Sequence, residues 1–446
     1  MKVHNKLRFF LYTLGCPKNE VDSEIISKKL LRGGFERVVS PQKANIILVN
    51  SCGFIKASKE ETLDAIFHFH RNRGDKQKIV MIGCLAQRYK GEIEKILPEV
   101  DGFIGADAYD NIDKIVRDIC FDLTKGRYWG NVKSASMIYS SSERLYGNKL
   151  HSHTYVKIAD GCSNRCSFCA IPHIKGPYKS RMIDDVLKEI DKLINSGYHE
   201  IGLVSQDLTA YGYDIGYKDA LFTLLKEIEG IRKRFWVRLY YLYPRRIKKE
   251  ILELIAESNK IVHYIDIPFQ HISDNILLKM KRGHNSSFIK GLIKVIRDVI
   301  PDVVIRSAFI TGFPGETVKD FNELQRFLLE YRLDNVGFFE YSDEDGTRAY
   351  QLNNKLNQRT IRNRYQKLYE LQEEISFELN KNRVGKVYDV VIDNEEGRFY
   401  VGRYYGQAPD IDGVVYIKKG KKRLSGFVKV KIESADSYDL YGREIC

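Results

Sequence analysis

Twice along this 446-residue chain, short apolar runs alternate with helix-period segments, and that rhythm limits the fold more than any other feature. In the first stretch, residues 9–14, 45–50 and 78–82 read as strands, and 22–31 and 58–69 as helices, with Gly33-Gly34 ending the first helix. Strand–helix–strand repetition marks a parallel sheet. From Thr154 onward, strand-like runs recur at 155–159, 200–206, 236–242, 264–270, 303–311 and 336–342, with helices between them. Six such units make a partial (β/α)6 barrel, a fold that places its chemistry on the loops after its strands. Ile361, Tyr365, Leu368, Leu371, Ile375 and Leu379 then recur near helical spacing, which predicts a long helix whose apolar stripe is core. Beyond Asn380, five short β runs at 386–393, 398–406, 413–418, 426–433 and 438–444 predict a small closed antiparallel barrel of OB-like type. The expected fold class is therefore α/β. A βαβ parallel-sheet domain covers 1–122, a linker 123–150, the partial barrel with its trailing helix 151–379, and the small antiparallel β-barrel 380–446.

The cysteines fall at informative places on this frame. Cys162, Cys166 and Cys169 form a C-x3-C-x2-C run directly after the first barrel strand. Three thiolates on one short loop suit three corners of an iron–sulfur cube, with a fourth iron left open to substrate. The same run admits a structural zinc site in which His173 completes Cys3His. Structural zinc ligands come more often as two separated pairs, which favours the cluster. Cys16, Cys52 and Cys84 each follow a strand of the first sheet by one to three residues. The carboxyl ends of parallel strands share one edge, so these three thiols read as a second three-thiolate cluster site. Cys120 and Cys446 fit neither trio. The pairs His68/His70 and His151/His153 read as solvated.

Composition narrows the setting. With 43% hydrophobic and 29% charged residues, the chain has the make-up of a globular protein with full cores. No apolar run approaches the ~20 residues of a membrane span, so no membrane role is expected. Lys2, Lys6 and Arg8 before residues 9–16 faintly resemble a lipoprotein signal ending at Cys16, but Tyr12 and Thr13 interrupt the short apolar part. A cytoplasmic location follows, where clustered thiols favour metal or redox roles over disulfides. The net charge of +13 fits an acidic or nucleic-acid partner, or a merely solvated basic surface.

Several strand-end segments carry polar groups suited to a ligand. Ser205-Gln206-Asp207 ends the second barrel strand, and Glu340-Tyr341-Ser342 the sixth. Thr311-Gly312-Phe313-Pro314-Gly315-Glu316 ends the fifth, where two glycines let backbone approach a ligand, though a plain helix entry would look similar. The basic run 418–423 is predicted to lie in a hairpin of the last domain, as a solvated face or an anionic contact.

At this point the motifs resemble a known family. Ala159-Asp160-Gly161-Cys162 through Cys169-Ala170-Ile171-Pro172, with Lys175-Gly176 and Ser180-Arg181, is similar to the radical S-adenosylmethionine (SAM) methylthiotransferases. The resemblance implies an N-terminal three-cysteine domain, a radical-SAM barrel and a C-terminal TRAM domain, and it spans nearly the whole chain. Leu14-Gly15-Cys16-Pro17-Lys18-Asn19 with Val21-Asp22-Ser23-Glu24 looks like the ribosomal-protein branch, whereas the tRNA branch has Gly-Cys-Gln-x-Asn there. The segment 402–413 is similar to the same branch. Asp160, Lys175 and Tyr404 depart from the family pattern, where Glu, Arg and a small residue are frequent.

The resemblance implies two [4Fe–4S] clusters, one on Cys162, Cys166 and Cys169 and one on Cys16, Cys52 and Cys84, and leaves His173 without a ligand role. It implies SAM bound to the open iron of the first, with Gln206, Asp207, Gly312, Gly315 and Glu316 lining the pocket. It assigns no side chain as acid or base; a radical generated from SAM abstracts hydrogen from an unactivated carbon. The implied reaction adds a methylthio group to the β-carbon of an aspartate in small-subunit ribosomal protein twelve. The alternatives are a tRNA adenosine methylthiotransferase and a non-catalytic zinc protein bound to RNA or the ribosome. The implied partners are that ribosomal protein, within the assembled subunit with ribosomal RNA contact, and an electron donor of flavodoxin or ferredoxin type. The chain is expected to act as a monomer.

Overall fold

The computed structural model describes residues 6–123, 128–130, 138–146, 152–420 and 423–445. Its residues gather into two compact units, one of 1–148, 157–186 and 342–350, the other of 149–156, 187–341 and 351–446.

The first unit is built on a six-stranded sheet. Its strands are β1 (Arg8–Thr13), β2 (Glu36–Arg37), β3 (Ile46–Ser51), β4 (Lys78–Gly83), β5 (Gly102–Ile104) and β6 (Tyr128–Trp129). They lie in the order β2-β1-β3-β4-β5-β6, and every pairing is parallel. All of β3 is buried, as is β4 after its first residue, so both read as continuous apolar runs. Helices α1 (Pro17–Arg32), α2 (Lys56–Asn72), α3 (Cys84–Ile96) and α4 (Ile112–Cys120) connect or flank the strands. Pro17 opens α1 at a position whose N–H needs no partner. Ile47, Val49, Ile66, Met81, Leu85 and Phe103 share the core.

The expected strands of this sheet match β1, β3 and β4 within a residue or so. The two- and three-residue strands β2, β5 and β6 are too short to show a period, and the sequence reading missed them. The stretch 123–150, expected to be a linker, supplies β6 and a 3-10 turn at Ser141–Glu143 among its described residues. Tyr139 is buried there with the Arg181 guanidinium 4.0 Å from its ring centroid, and buried Arg144 pairs with Glu24. Gly126, Gly147 and His151 lie outside the described residues, as does Cys446.

The chain next forms β7 (His153–Lys157), then a two-stranded antiparallel hairpin of β8 (Ala159–Asp160) and β9 (Lys179–Ser180) that brackets the cysteine run. The short helix α5 (Ile171–Lys175) follows Cys169.

The second unit holds β10 (Glu200–Val204), β11 (Trp236–Leu239), β12 (Ile261–Asp266), β13 (Val304–Thr311) and β14 (Asn335–Glu340). With β7 they form one sheet in the order β14-β13-β12-β11-β10-β7, and the described pairings are parallel. Strand order follows chain order and the two end strands do not pair, which is the layout of an unclosed β/α barrel. The helix Gln358–Lys381 buries Ile361, Leu368 and Ile375. The chain ends in a closed barrel of β15 (Val387–Glu396), β16 (Phe399–Tyr404), β17 (Val415–Lys418), β18 (Phe427–Ala435) and β19 (Leu440–Glu444), in the order β15-β16-β17-β19-β18. Its core includes Val390, Tyr400, Ile417, Val430 and Leu440.

Glu200 on β10 accepts from Arg238 at 2.7 Å and from Arg403 of the small barrel at 2.5 Å, all three fully buried. Arg238 also donates to the carbonyl oxygens of Tyr405 and Gln407, at 2.8 and 3.1 Å. One expectation is corrected here. The basic run 418–423, of which 421 and 422 lie outside the described residues, falls between β17 and β18; these strands are not neighbours in the barrel, so they do not form the expected hairpin. Local turn composition cannot reveal that β19 inserts between them.

Candidate functional site

β1, β3 and β4 are adjacent in the first sheet, so Cys16, Cys52 and Cys84 issue from one edge of three neighbouring strands. Cys52 follows β3 directly, Cys84 opens α3, and Cys16 precedes α1 without a side-chain cap bond. Glycines bring the loops together. Gly15 has φ +94°, and a Cβ there would lie 2.9 Å from Cβ of Cys52; a Cβ on Gly53 would lie 2.8 Å from Cα of Leu85. Asn19 ties the three loops. Its Nδ2 donates to the carbonyl of Leu14 at 2.8 Å and of Ser51 at 3.3 Å, while its Oδ1 lies 4.0 Å from Sγ of Cys84. The Asn in the motif at 14–19 thus has a physical role: it closes the edge at which the thiols converge.

Burial pushes the Cys84 thiol up to about 12, with the Lys175 ammonium and the other two cysteines acting as smaller influences. Burial also raises Cys52, against a hydrogen bond from Ser58. Buried thiols of this kind stay protonated at neutral pH, and a metal that binds them must displace the protons. Cys120 stands apart at the end of α4, its thiol pushed up to about 11 by burial. Among the described residues, no three His, Cys, Asp or Glu side chains lie within reach of a single metal ion.

The C-x3-C-x2-C run belongs to the same unit. Gly161 has φ +82°, and a Cβ there would sit 2.2 Å from the Pro177 oxygen, so only glycine fits. The Cys162 N–H donates to the Gly176 oxygen at 3.1 Å, which pins the base of the loop. Cys162 is buried; Cys166 and Cys169 are half-buried. Ala170 and Ile174 pack against Cys84, so the loop that carries one trio touches a member of the other.

Four buried charges sit behind this contact. Lys157 pairs with Asp22 and lies 3.4 Å from Asp160; Lys175 lies 3.3 Å from Asp22 and 3.6 Å from Asp160. Burial alone would strip Lys175 of its proton, but Asp160 and Asp22 outweigh it and hold its pKa well above the ordinary value. A second tie comes from buried Glu344, which accepts from Lys59 on α2 at 2.7 Å and from Arg88 on α3 at 2.6 Å. The Ala349 N–H of the same segment donates to the Ser167 oxygen at 2.8 Å. The sequence reading missed Lys157, Asp22 and Glu344 as parts of the site. A lysine interrupting the apolar run at 155–159 was the available signal.

In the second unit the predicted ligand segments sit at strand ends. Asp207 is buried and accepts from Thr209 at 2.5 Å and from Arg246 at 2.5 Å. Gln206 beside it is half-buried. Gly312 and Gly315 have φ of +82° and +79°. A Cβ on Gly312 would meet Cγ1 of Ile361 at 2.5 Å, so the turn packs tightly on the helix Gln358–Lys381. Glu316 points inward: its Oε2 accepts the Gly312 N–H at 2.7 Å and its Oε1 pairs with Arg364. Its carboxylate holds the turn from behind. Two non-glycine residues after strands also adopt positive φ, Tyr241 at +61° and Gln270 at +74°. Strain of this sort collects at functional sites, and no sequence pattern announced either residue.

Three family models match the chain: the uncharacterized protein family UPF0004 over residues 8–105, the radical SAM superfamily over 156–328, and the TRAM domain over 384–445. The chain is 40% identical to the ribosomal protein uS12 methylthiotransferase RimO of Acetivibrio thermocellus, over 99% of each protein. It is 40% identical to the RimO of Carboxydothermus hydrogenoformans, over 98% of this chain and 100% of the relative. Among solved structures, the radical SAM methyltransferase TsrM of Kitasatospora setae, with cobalamin and a [4Fe-4S] cluster bound, matches with a TM-score of 0.55. It shares 14% identity over 75% of each chain, which is a likeness of fold.

Proposed function

Because the chain belongs to the RimO family of radical SAM methylthiotransferases, we propose that it adds a methylthio group to the β-carbon of an aspartate in ribosomal protein uS12. One observation carries the reading: cysteines from three adjacent strand ends, tied by Asn19, share a compact unit with the C-x3-C-x2-C loop. Two three-thiolate sets in one unit are what a double-cluster enzyme needs.

Cys162, Cys166 and Cys169 would hold one [4Fe–4S] cluster, and Cys16, Cys52 and Cys84 the other. When bound, these clusters and SAM supply one-electron chemistry at an unactivated carbon, the inserted sulfur and the methyl group. The protein's own residues do the rest. Gly161 and the Cys162–Gly176 bond fix the first loop, and Asn19 fixes the three loops of the second. The four buried charges and Glu344 brace both sets. Gln206, Asp207, Gly312 and Gly315 line the SAM pocket; Asp207 is already neutralised by Arg246 and so shapes the loop, and Glu316 holds the glycine turn.

The chain reads as an auxiliary-cluster domain at 1–122, a linker at 123–150, the radical SAM barrel with its helix at 151–379, and a TRAM domain at 380–446; the three family models support that division. Among the described residues no helix is long and apolar enough to cross a membrane. A ribosomal substrate supports a cytoplasmic location, and the chain is proposed to act as a monomer. It takes electrons from a flavodoxin- or ferredoxin-type donor and touches ribosomal RNA through its basic surface.

The test is mass spectrometry of uS12 from cells with and without the gene, alongside analysis of their tRNA nucleosides. A methylthio mass on the aspartate peptide that disappears with the gene supports the reading. An unmodified peptide with loss of a methylthioadenosine moves the enzyme to tRNA. Cys166→Ala should abolish SAM cleavage, whereas Cys52→Ala should spare cleavage and stop methylthio formation.

A further inference from the structure

We infer that His271 is a positioning residue for SAM, its ring holding the Gly312–Glu316 turn in the shape that receives the cofactor. The inference rests on the reading that this turn lines the SAM pocket.

β12 ends at Asp266 and runs into the segment 267–273. Gln270 takes its strained backbone there because its N–H donates to the Ala308 oxygen and its own oxygen accepts from the Ile310 N–H, both at 2.8 Å. That strain turns the next residue inward, and His271 is fully buried. Its Nδ1 accepts the Ser273 N–H at 3.0 Å, which assigns the ring proton to Nε2. Nε2 has no hydrogen-bond partner among the described residues. It lies 3.8 Å from Oε2 of Glu316, the same oxygen that takes the Gly312 N–H.

A buried donor left without a partner is costly, so its placement calls for a physical reason. Here the donor faces one acceptor from just beyond bonding distance. The neighbouring Ser273 hydroxyl donates to Asp320, so the two strand-end segments are already tied at a second point. On its other side Glu316 is held by Arg364, and Gly312 is blocked by Ile361. The turn therefore has one soft direction, toward His271. A ligand that draws the turn that way by less than an ångström gives His271 its bond, as hydrogen bonds that are long in an empty site tighten when it fills. A bond made only in the loaded state appears as affinity.

The alternative is that His271 merely fills core volume. The experiment compares the full-length, anaerobically reconstituted wild type with His271→Leu, His271→Gln and Gly315→Ala. It reads the SAM dissociation constant and iron per chain, and also the exchange rate of the Gly312 amide in the SAM-loaded chain. Leucine keeps the volume and removes both bonds, whereas glutamine carries an N–H donor to about the depth of Nε2.

His271→Leu should weaken SAM binding about tenfold, about 1.4 kcal/mol, with unchanged iron per chain and faster exchange at Gly312. His271→Gln should return affinity to within about threefold of wild type. Wild-type affinity in His271→Leu, with Gly315→Ala weakened, overturns the inference. Wild-type affinity in Gly315→Ala as well overturns the underlying reading of the turn. If His271→Leu does not fold, a folded His271→Gln that binds SAM tenfold more weakly than wild type overturns the donor role.

Discussion

Asp22→Asn is the substitution whose cost the structure sets most tightly. Asn has the shape of Asp, so packing is unchanged and only charge is removed. Asp22 contacts both Lys157 and Lys175, each almost wholly buried, and the four charges sum to zero. Removing one carboxylate leaves a surplus cation in the interior, which costs about 3–5 kcal/mol when a buried pair is broken. A second route gives the same size. The surplus lysine can shed its proton, and neutralising a lysine of pKa ~10.4 at pH 7 costs about 4.6 kcal/mol. That ceiling, with small hydrogen-bond losses, places the effect near 4 kcal/mol, a large share of the ~5–15 kcal/mol of an ordinary domain.

The chain has two tryptophans, Trp129 in the first unit and Trp236 in the second. Urea unfolding followed by fluorescence in a Trp236→Phe background therefore reports on the first unit alone. Lys175→Met should cost a similar amount by leaving a surplus carboxylate. The double variant Asp22→Asn/Lys175→Met is neutral again and should be at least 2 kcal/mol more stable than the sum of the single effects predicts. A cost below about 1 kcal/mol for Asp22→Asn, or strict additivity of the two changes, would falsify the account of a mutually neutralising buried cluster.

Further outcomes follow from the same contacts. Asn19→Ala leaves the Leu14 and Ser51 carbonyls without their donor and should cost the first unit about 2 kcal/mol, with less iron retained per chain than wild type after reconstitution; unchanged stability and iron would show that the loops hold themselves. Arg403→Met leaves buried Glu200 with Arg238 alone and half-buried Asp393 without its guanidinium, and should destabilise the second unit by about 3–5 kcal/mol, read from Trp236 in a Trp129→Phe background. His153, expected to be solvated, is instead buried beside Asp393 and Asp410. Burial alone would lower its pKa, but the two carboxylates, 3.9 Å away at Asp393 and 3.3 Å away at Asp410, outweigh that and hold it above the ordinary value of 6.5. A raised folded pKa adds stability that is complete below pH 6.5 and is lost as pH rises through the folded value. Wild-type stability of the second unit should thus fall more steeply above pH 6.5 than that of His153→Asn, and parallel pH profiles would remove the histidine from the account.

The sequence by itself determined the layers and the placing of six cysteines just beyond strands. Buried parallel strands such as β3 and β4 must be apolar throughout, and cysteine spacing after a strand survives any detail of packing, so both could be read directly. The two-residue strands β2 and β6 carry no period, and the insertion of β19 between β17 and β18 leaves no local trace. The Asp22–Lys157–Asp160–Lys175 cluster and the approach of His271 to Glu316 join residues far apart in the chain. Only the tertiary structure decided them, because the free energy that places a buried charge or donor depends on which distant partners close around it.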